Sequence, residues 1–376
     1  MKHMFAPFFQ TPKGNLTIKD NSEPLLTIQG VNVKGKFRKY QFVRRRLKEI
    51  SYGKVLAREI MSWTPDVVIS SNSPLDPQRI IFERCRLLGI PFVFWLQDYY
   101  SLAIERILKS KNALVGSIIG KYYKRIERGL LRNSNAVIAI TPDFVPLLSR
   151  WQVEDKRIHV IPNWAPIEEL PRLEKNNSWS RLQGLDSMFC FIYSGTLSFK
   201  HNPFLLLQLA NHHRLDARVR VVVISEGPVI EWLKKESSAR GLTNMMFYDF
   251  QPFNRMPEVL ASGDVLVAIL EPGAGSYSVP SKILTYLCAG RALLVAVPNG
   301  NLGSRIVVEN ECGLSSDPDS VKDFLANSDY LVKNEQLRST LADNAFAYAM
   351  KNFDIDRITD RFESIIRNIQ AEGARR

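Results

Sequence analysis

Short apolar runs rich in valine, isoleucine and phenylalanine recur along the chain, and longer segments with helical periodicity separate them. Runs of this kind are typical of parallel strands that are buried on both faces of a sheet. They occupy residues 66–71, 91–96, 135–141 and 157–162 in the first half, and 189–194, 218–224, 245–250, 264–270 and 291–297 in the second. Strands alternating with helices indicate a doubly wound α/β sheet. Because the pattern occurs twice, the sequence predicts two α/β domains.

A chain of 376 residues is long for one ordinary core. We expect a linker at 166–187, which is polar and has no long apolar period. The prediction is a first domain at 1–168, a second at 187–352 and a C-terminal helical segment at 353–376. One stripe of this segment is apolar, and we expect it to cross back onto the first domain; the stripe consists of Ile358, Phe362, Ile365, Ile366 and Ile369.

The positive charge lies almost entirely in the first half. Residues 1–188 hold 30 Lys and Arg against 17 Asp and Glu, whereas residues 189–376 hold 20 against 21. This asymmetry indicates an anionic partner for the first half, whether a phospholipid surface, a phosphorylated acceptor or a nucleic acid. Its basic segments, 34–49 and 109–132, interleave charges with apolar side chains. They fit either a solvated face or a membrane-facing surface that includes Arg44, Arg45 and Arg46.

The four cysteines are far apart and form no C-x-x-C pair, which predicts buried free thiols at Cys85, Cys190, Cys288 and Cys312. No stretch approaches the ~18 to 20 apolar residues that a spanning helix needs, and the first residues do not resemble a signal peptide. We therefore expect a cytoplasmic protein, peripheral at the inner face of the cell membrane.

Metal and nucleic-acid signatures are not found in the sequence. His212 and His213 are adjacent and are expected on opposite sides of a helix, so we predict no metal site and no cofactor. No helix-turn-helix, zinc or RNA-recognition motif occurs, which disfavours a basic nucleic-acid-binding protein. No G-x-G-x-x-G follows a strand, which disfavours a nucleotide-sugar epimerase or an NAD-linked enzyme.

Two segments of the second half have the composition of phosphate-binding loops. In FIYSGTLSFKHNP a strand ends at Ser194, and the next residues include Gly195, Thr196 and Lys200. Gly195 lets the backbone approach a ligand and Lys200 offers a positive charge, while Asn202 with Pro203 is a favourable helix start.

The second segment is EPGAGSYSVPSKILTYLCAG. A strand runs into Glu271, and a helix that contains Lys282 is expected from about Pro280 to just before Gly290. The loop between them consists mainly of small residues and includes Gly273, Gly275, Ser276, Tyr277 and Ser278. Main-chain N–H groups at a helix N-terminus bind phosphate. Either segment alone is also explained as an ordinary strand-to-helix turn, but the two together predict a diphosphate site at one edge of the sheet.

On the first domain, Asp98 in LQDYY follows directly after a strand. A carboxylate there can orient or accept a proton from an acceptor hydroxyl, or stabilise a positive transition state. The alternative is that Asp98 caps the helix that begins near Ser101.

These blocks resemble the retaining glycosyltransferases of family 4, and within them a branch of bacterial cell-surface polysaccharide enzymes. The resemblance runs from about residue 35 to about 350 and is carried by FVFWLQDYYSLAIERIL, NSNAVIAITPDF with HVIPNWAP, IYSGTLSFKHNP, VVVISEGP and SYSVPSKILTYLCAGRALLVAV. It implies the GT-B fold, in which two doubly wound Rossmann-like domains face each other across a cleft.

The resemblance also implies roles for individual residues. Gly195, Thr196 and Lys200 would face the donor diphosphate, and Glu226 with Gly227 would lie near the nucleotide. Gln251 would contact the base, while the stretch Gly273 to Ser278 with Lys282 would close over the phosphates and sugar.

Two departures from the family pattern bear on activity. Where most members carry two glutamates eight positions apart, the second of which holds the ribose, this chain has Tyr277 and Thr285. The Thr285 hydroxyl could still hydrogen-bond a ribose hydroxyl, but more weakly than a carboxylate would. The family's opening strand and glycine-rich turn have no counterpart before residue 52. A catalytically impaired GT-B fragment therefore remains an alternative.

The implied activity is that of a hexosyl- or N-acetylhexosaminyltransferase. It would use a nucleotide-diphosphate sugar and a glycan or lipid-linked acceptor, in the synthesis of capsule, O-antigen, lipopolysaccharide or exopolysaccharide.

Overall fold

The computed structural model describes residues 1–7, 26–35, 41–71, 73–270 and 281–374. The chain divides into two compact units. Unit 1 comprises Met1–Pro162 and Asp360–Arg376, and unit 2 comprises Asn163–Thr359.

The larger sheet of unit 1 has four parallel strands, whose spatial order follows the chain: β3 (Val68–Ser71), β4 (Phe92–Leu96), β5 (Ala136–Ala139) and β6 (Ile158–Val160). Two further strands, β1 (Lys2–Phe5) and β2 (Thr27–Gly30), pair in parallel as a separate sheet. The sequence did not predict β1 and β2, because they are short and contain few apolar residues. All four residues of β5 are buried, as expected for a central parallel strand.

The helices of this unit are α1 (Phe42–Trp63), α2 (Leu75–Leu88), α3 (Tyr100–Lys109), α4 (Ala113–Asn133) and α5 (Val145–Arg150). Helix α1 packs against α2, and α3 packs against α4. The last pair is in close contact, since a Cβ added at Gly116 would lie 2.4 Å from the backbone nitrogen of Lys109. Helices α3 and α4 therefore form a closely packed hairpin.

Helix α14 (Ile355–Ala374) starts in unit 2 and belongs to unit 1 from Asp360 onward. Within unit 1 its Phe362 ring meets Trp95 of β4 edge to face, with centroids 5.0 Å apart. Arg361 donates to the carbonyl oxygen of Val160 at 2.5 Å. The apolar stripe predicted for this segment is confirmed by the burial of Ile358, Ile365 and Ile369.

Unit 2 is built on one six-stranded parallel sheet. Its strands are β7 (Phe189–Ser194), β8 (Val219–Ile224), β9 (Met245–Tyr248), β10 (Val265–Ile269), β11 (Ala292–Ala296) and β12 (Gly313–Ser316). Across the sheet they lie in the order β9, β8, β7, β10, β11, β12. This is the strand order of the Rossmann fold, in which the chain winds outward from β7 in both directions.

Helices cover both faces of this sheet, and each face has its own buried core. The helices of the unit are α6 (Ser178–Leu182), α7 (Phe204–His212), α8 (Pro228–Ala239), α9 (Met256–Ala261), α10 (Ser281–Cys288), α11 (Leu302–Glu309), α12 (Val321–Lys333) and α13 (Glu335–Asn352). The single helix predicted at 319–349 is two helices, because Asn334 leaves the helical conformation. Gly290 has a φ of 58° just past α10, as predicted for a helix end.

Two features of unit 2 differ from the sequence prediction. Strand β12 was not predicted, since GLSS is short and polar. It lies at the sheet edge, where a Cβ at Gly313 would lie 2.1 Å from the carbonyl oxygen of Leu293.

The segment 166–187, predicted as a linker, belongs to unit 2 and buries Leu170, Trp179 and Leu185 in its core. These three side chains are not regularly spaced, so the segment shows no helix or strand period in the sequence. All four cysteines are free and buried, as predicted.

Candidate functional site

Strands β7 and β10 are parallel neighbours, so their carboxyl ends lie at the same edge of the sheet. After β7 the chain moves toward β8, whereas after β10 it moves toward β11. Ligands of open α/β sheets bind where neighbouring connections diverge in this way. The two segments predicted to hold a diphosphate leave the sheet at this switch point.

A tyrosine hydroxyl fills the gap where the two strands separate. The pairing of β7 with β10 ends at Ile192 and Leu266, so the backbone of Ser194 has no partner on that side. Tyr286 of α10 takes the place of the strand: its hydroxyl accepts from the Ser194 nitrogen at 2.8 Å and donates to the Ser194 oxygen at 3.0 Å. Both buried polar groups are thereby satisfied. The role of Tyr286 is not apparent from the sequence, because its partner is 92 residues away.

One turn before Tyr286 on α10, Lys282 lies over the ring of Tyr193, with Nζ 3.6 Å from the ring centroid. The ammonium is shielded from solvent and has no hydrogen-bond acceptor among the described residues. Burial lowers the pKa of Lys282 to about 7. A shielded cation without an acceptor, at a switch point, is an electrostatic site for an anion.

Gly195 faces this lysine. Its φ of 122° lies in a region that favours glycine, and an added Cβ would be 3.7 Å from Cε and Nζ of Lys282. The exposed Thr196 follows, and its carbonyl oxygen accepts from the Tyr193 hydroxyl at 2.9 Å. The structure therefore brings together Gly195, Thr196 and Lys282, as predicted for the diphosphate site.

The remaining loop residues are only partly described. Lys200 lies in the short turn Phe199–His201, and its side chain is outside the described structure. Outside the described residues lie six predicted contacts: Glu271, Gly273, Gly275, Ser276, Tyr277 and Ser278. Asn202 does not cap the following helix as expected; it is left-handed, with φ 46°, and its side chain donates to the carbonyl of Pro318.

The residues predicted to lie near the nucleotide follow β8, β9 and the start of α10. Glu226 accepts from the Phe250 nitrogen at 3.4 Å, which links the ends of β8 and β9, and Gly227 precedes α8 with a φ of 104°. Gln251 accepts from the Trp179 indole at 3.2 Å and donates to the carbonyl of Asp249. Its side-chain amide is thus already engaged within the protein. The Thr285 hydroxyl is 3.5 Å from the carbonyl of Ser281 and is only weakly held.

In unit 1, Asp98 follows β4 at the carboxyl edge of its sheet, and surrounding protein raises its pKa to about 6. The side chain is nevertheless exposed, and it forms no hydrogen bond or ion pair with any described residue. The alternative assignment of Asp98 as a helix cap is wrong. Glu127 of α4 occupies that position instead, accepting from the Tyr100 and Ser101 nitrogens at 2.9 and 3.2 Å and from the Ser101 hydroxyl at 2.5 Å. Its pKa is raised to about 7 because the carboxylate is buried.

A cavity of about 140 Å³ opens at this carboxyl edge of unit 1. Residues that follow β3 and β4, including Leu75 and Tyr100, line one side of it. Phe42 of α1 and Ile104 and Ile107 of α3 form an apolar wall, while Arg45, Arg46 and Glu49 supply charge. The cavity thus combines apolar surface with charged groups, and its lining includes Tyr100, two residues after Asp98.

Two of the three arginines predicted to face a membrane are engaged inside the protein. Arg45 pairs with Glu49 at 2.7 Å, and Arg46 pairs with Asp76 at 3.0 Å while its guanidinium lies over the Tyr122 ring. Arg44 remains exposed. Glu49 lies one helical turn after Arg45 in α1, and Asp76 belongs to α2. Counting charges along the sequence does not detect these two ion pairs.

The exposed basic and apolar surface lies on the α3–α4 hairpin instead. Its apolar part includes Leu114 and Ile118, which are 78% and 70% exposed, together with Ile107, Val115 and Tyr122. Farther along α4, Lys121, Arg125, Arg128 and Arg132 line an open groove with Trp151. Lys121 and Arg125 have no acidic partner among the residues described. We call these two parts together the hairpin surface.

The expectation that His212 and His213 point to opposite sides of a helix is wrong. Helix α7 ends at His212, and His213 turns out of the helix with φ −93° and ψ 14°. The two ring centroids are 4.8 Å apart, and Asp329 of α12 lies beside them.

Comparisons with known proteins match both halves of the chain. The family model described as Glycosyltransferase Family 4 matches residues 9–169, and the model described as Glycosyl transferases group 1 matches residues 183–348. The chain is 23% identical over 312 residues to the putative colanic acid biosynthesis glycosyl transferase WcaI of Escherichia coli, covering 81% of this chain and 74% of that protein.

Solved glycosyltransferase structures share the fold at low sequence identity. Alr3699/HepE of Anabaena, crystallised in complex with UDP-glucose, has a TM-score of 0.69 and 14% identity, covering 91% of this chain and 86% of that one. WaaG, a glycosyltransferase involved in lipopolysaccharide biosynthesis, has a TM-score of 0.65 with 14% identity and similar coverage, 91% and 86%. The two family matches account for most of both units, and the chain therefore belongs to glycosyltransferase family 4 and has the GT-B fold.

Proposed function

We propose that this glycosyltransferase moves a hexose or N-acetylhexosamine, with retention of configuration, from a nucleotide-diphosphate sugar to a lipid-linked or other membrane-held glycan acceptor. The product would belong to a bacterial cell-surface polysaccharide, such as capsule, O-antigen or exopolysaccharide. The observation that carries the donor assignment is the shielded ammonium of Lys282 beside Gly195, at the switch point of a Rossmann sheet.

The donor site would act mainly by neutralising charge. A leaving diphosphate gains negative charge as the glycosidic bond breaks, and a fixed cation stabilises that charge most strongly where water is excluded. The side chain of Lys282 is shielded from water, and a bound diphosphate would favour its charged form. We infer that lysine side chains and main-chain N–H groups hold the diphosphate without a metal ion or other cofactor. Retention would follow from attack on the face that the diphosphate leaves.

The acceptor would bind in unit 1, at the cavity whose lining includes Tyr100, two residues after Asp98. Its apolar wall at Phe42 and Ile107 suits the start of a lipid chain. Arg45 in its lining pairs with Glu49 but is 38% exposed, so its remaining N–H groups suit a phosphate. Asp98 would receive or orient the proton of the attacking hydroxyl.

The hairpin surface supports a peripheral position at an anionic membrane. Exposed leucine and isoleucine at the start of α4 can enter the headgroup region, while the basic residues that follow meet anionic lipid. Among the described helices, none has the length and apolar character needed to cross a bilayer. We therefore propose attachment to the inner face of the cell membrane, with no nucleic-acid partner.

The donor assignment is tested by thermal shift with UDP-, GDP- and dTDP-sugars, followed by mass spectrometry of the reaction with a membrane-lipid extract. We expect one nucleotide class to raise the melting temperature and its sugar to appear on a lipid product. Transfer to water-soluble glycans only would contradict the lipid-linked acceptor, and no response to any nucleotide would contradict the donor site.

The membrane assignment is tested by co-sedimentation with phosphatidylglycerol vesicles in low salt. Reversing two charges, with Lys121→Glu and Arg125→Glu, should lower the binding constant more than ~10-fold, since each basic residue near such a surface contributes about 1 kcal/mol. Leu114→Ser with Ile118→Ser should lower it as well. Lys235→Glu, an exposed lysine of α8, is the matched control. Unchanged binding of the double charge reversal would show that the hairpin surface is only a solvated face.

A further inference from the structure

Two histidines and an aspartate of unit 2 lie together at the amino edge of its sheet, away from the Lys282 site. His212 and His213 stand at the end of α7, just before the chain enters β8 at its amino end. Asp329 belongs to α12, which packs against α7. The cluster has no role in the proposed transfer reaction.

The geometry is close to that of a metal site. One ring nitrogen of each histidine and one carboxylate oxygen of Asp329 all lie within 4.8 Å of one another. The shortest of these contacts joins Nε2 of His212 to Oδ1 of Asp329 at 2.9 Å. Tetrahedral zinc with bonds of about 2.0 to 2.2 Å separates its ligands by roughly 3.3 to 3.5 Å. Since His212 and Asp329 are each about one third exposed, small side-chain rotations suffice to reach that spacing.

His213, the third side chain of the cluster, is held by a hydrogen bond and by ring stacking. Ser328 donates its hydroxyl proton to the carbonyl of Leu325 at 2.7 Å, so at 2.9 Å from Nε2 of His213 it must accept a proton from the ring. This bond fixes the tautomer of His213 with its proton on Nε2, so Nδ1 is the nitrogen that could bind a metal ion. The ring also stacks on Phe191, with centroids 5.5 Å apart. A histidine whose second nitrogen donates to a fixed acceptor is the usual arrangement around a bound metal ion.

We propose that His212, His213 and Asp329 bind a divalent transition-metal ion of the Zn²⁺ class, with water completing the coordination. Two imidazoles and one carboxylate suit zinc, cobalt or nickel better than magnesium or calcium, which prefer oxygen ligands. The ion would join the C-terminal end of α7 to α12. Its role would be to stabilise unit 2, because it lies at the edge of the sheet opposite the donor site.

The test uses tag-free full-length protein that has been dialysed against a chelator. Co²⁺ is added while visible absorption is followed, Zn²⁺ is used to displace it, and bound zinc is counted by elemental analysis. We expect one ion per chain, an absorption spectrum of cobalt bound by nitrogen and oxygen, and a metal-dependent rise in melting temperature. Affinity for UDP, GDP and dTDP should be the same with and without zinc.

Variants identify the ligands. His212→Ala and Asp329→Asn should each weaken zinc binding at least ~10-fold, since even residues that only support a ligand contribute that much. His3→Ala and Asp319→Asn remove a histidine and an exposed aspartate outside the cluster and should bind zinc as the wild type does. Each variant's melting temperature is compared with its own metal-free value, so a loss of the His212–Asp329 ion pair is not mistaken for a loss of metal. Failure of the wild-type protein to bind one ion, or unchanged binding by both cluster variants, would overturn the proposal.

Discussion

The ammonium of Lys282 lies 3.6 Å from the centroid of the Tyr193 ring, at the point where β7 and β10 separate. The attraction between a cation and an aromatic face reaches about 2 kcal/mol when both are desolvated. That is less than the cost of removing an ammonium from water, so the pKa of Lys282 falls to about 7 rather than rising. The free site is therefore only partly charged at neutral pH, and a bound diphosphate would supply the missing counter-charge.

Binding of a nucleoside diphosphate should take up a proton above pH 7. At pH 8 the Lys282 amine is mostly neutral in the free protein, and the diphosphate favours its charged form, so nearly one proton should be bound per ligand. Affinity should then fall as pH rises from 7 toward 9, by up to ~10-fold per pH unit. Calorimetry in two buffers of different ionisation enthalpy measures the uptake, and binding at pH 8 without uptake would contradict the proposed role.

Replacing Gly195 with alanine should reduce both stability and donor affinity. The left-handed φ of 122° strains a non-glycine residue by about 1 to 3 kcal/mol, and the new methyl group would lie 3.7 Å from the Lys282 ammonium, in the space of the ligand. Gly184→Ala is the control, because its φ is 66° and nothing lies within 4 Å of the added Cβ. Denaturant melts should show a loss in both variants, whereas calorimetry should show weaker nucleotide binding only in Gly195→Ala. Equal affinities would show that Gly195 serves the turn alone.

Tyr286→Phe should destabilise unit 2 by about 1 to 3 kcal/mol, because it leaves the Ser194 N–H and C=O buried without a partner. Diphosphate affinity should fall as well, since Lys282 stands on the same helix face. Tyr348→Phe, a half-buried tyrosine of α13, is the control. The comparison needs urea denaturation of both variants, and equal midpoints would mean that water replaces the hydroxyl.

Asp98→Asn should lower the rate of transfer by ~10²- to 10⁴-fold, the usual contribution of a general base. A carboxyl group whose pKa is raised to about 6 becomes a base above that pH, so wild-type kcat/KM should rise with pH through about 6. The Asp98→Asn substitution should abolish that rise, and Asp66→Asn, on an exposed aspartate before β3, should preserve it. A pH profile of the Asp98 variant that kept the same rising limb would exclude Asp98 as the base.

The architecture follows from local patterns in the sequence. Most strands of unit 2 are apolar runs that are largely buried, and all except β12 were predicted within two residues of their observed bounds. Strand β12 was not predicted, because an edge strand needs few apolar residues. The loops after β7 and β10 were predicted at one edge for a general reason: parallel strands end on the same side.

The contacts that shape the sites do not follow from local patterns. The bonds of Tyr286 to Ser194, Glu127 to Ser101 and Arg46 to Asp76 join residues 92, 26 and 30 positions apart. Each partner looks ordinary in its own segment: a helix tyrosine, a helix glutamate and one arginine among several. Glu127 takes the helix-capping position considered for Asp98, and Asp76 pairs with Arg46, which was predicted to face an anionic partner. Sequence patterns located the right segments, but long-range packing decided which side chains are available.

The most direct test of the donor site is calorimetric titration of the wild type and Lys282→Ala with UDP, GDP and dTDP at pH 7. Lys235→Ala, on an exposed lysine of the same unit, is the control. The wild type should bind one of the three at a single site, and Lys282→Ala should lose ~1 to 3 kcal/mol of that affinity, the range for a charge-assisted hydrogen bond. Equal affinities of the wild type and Lys282→Ala would contradict the assignment of this pocket to the donor diphosphate.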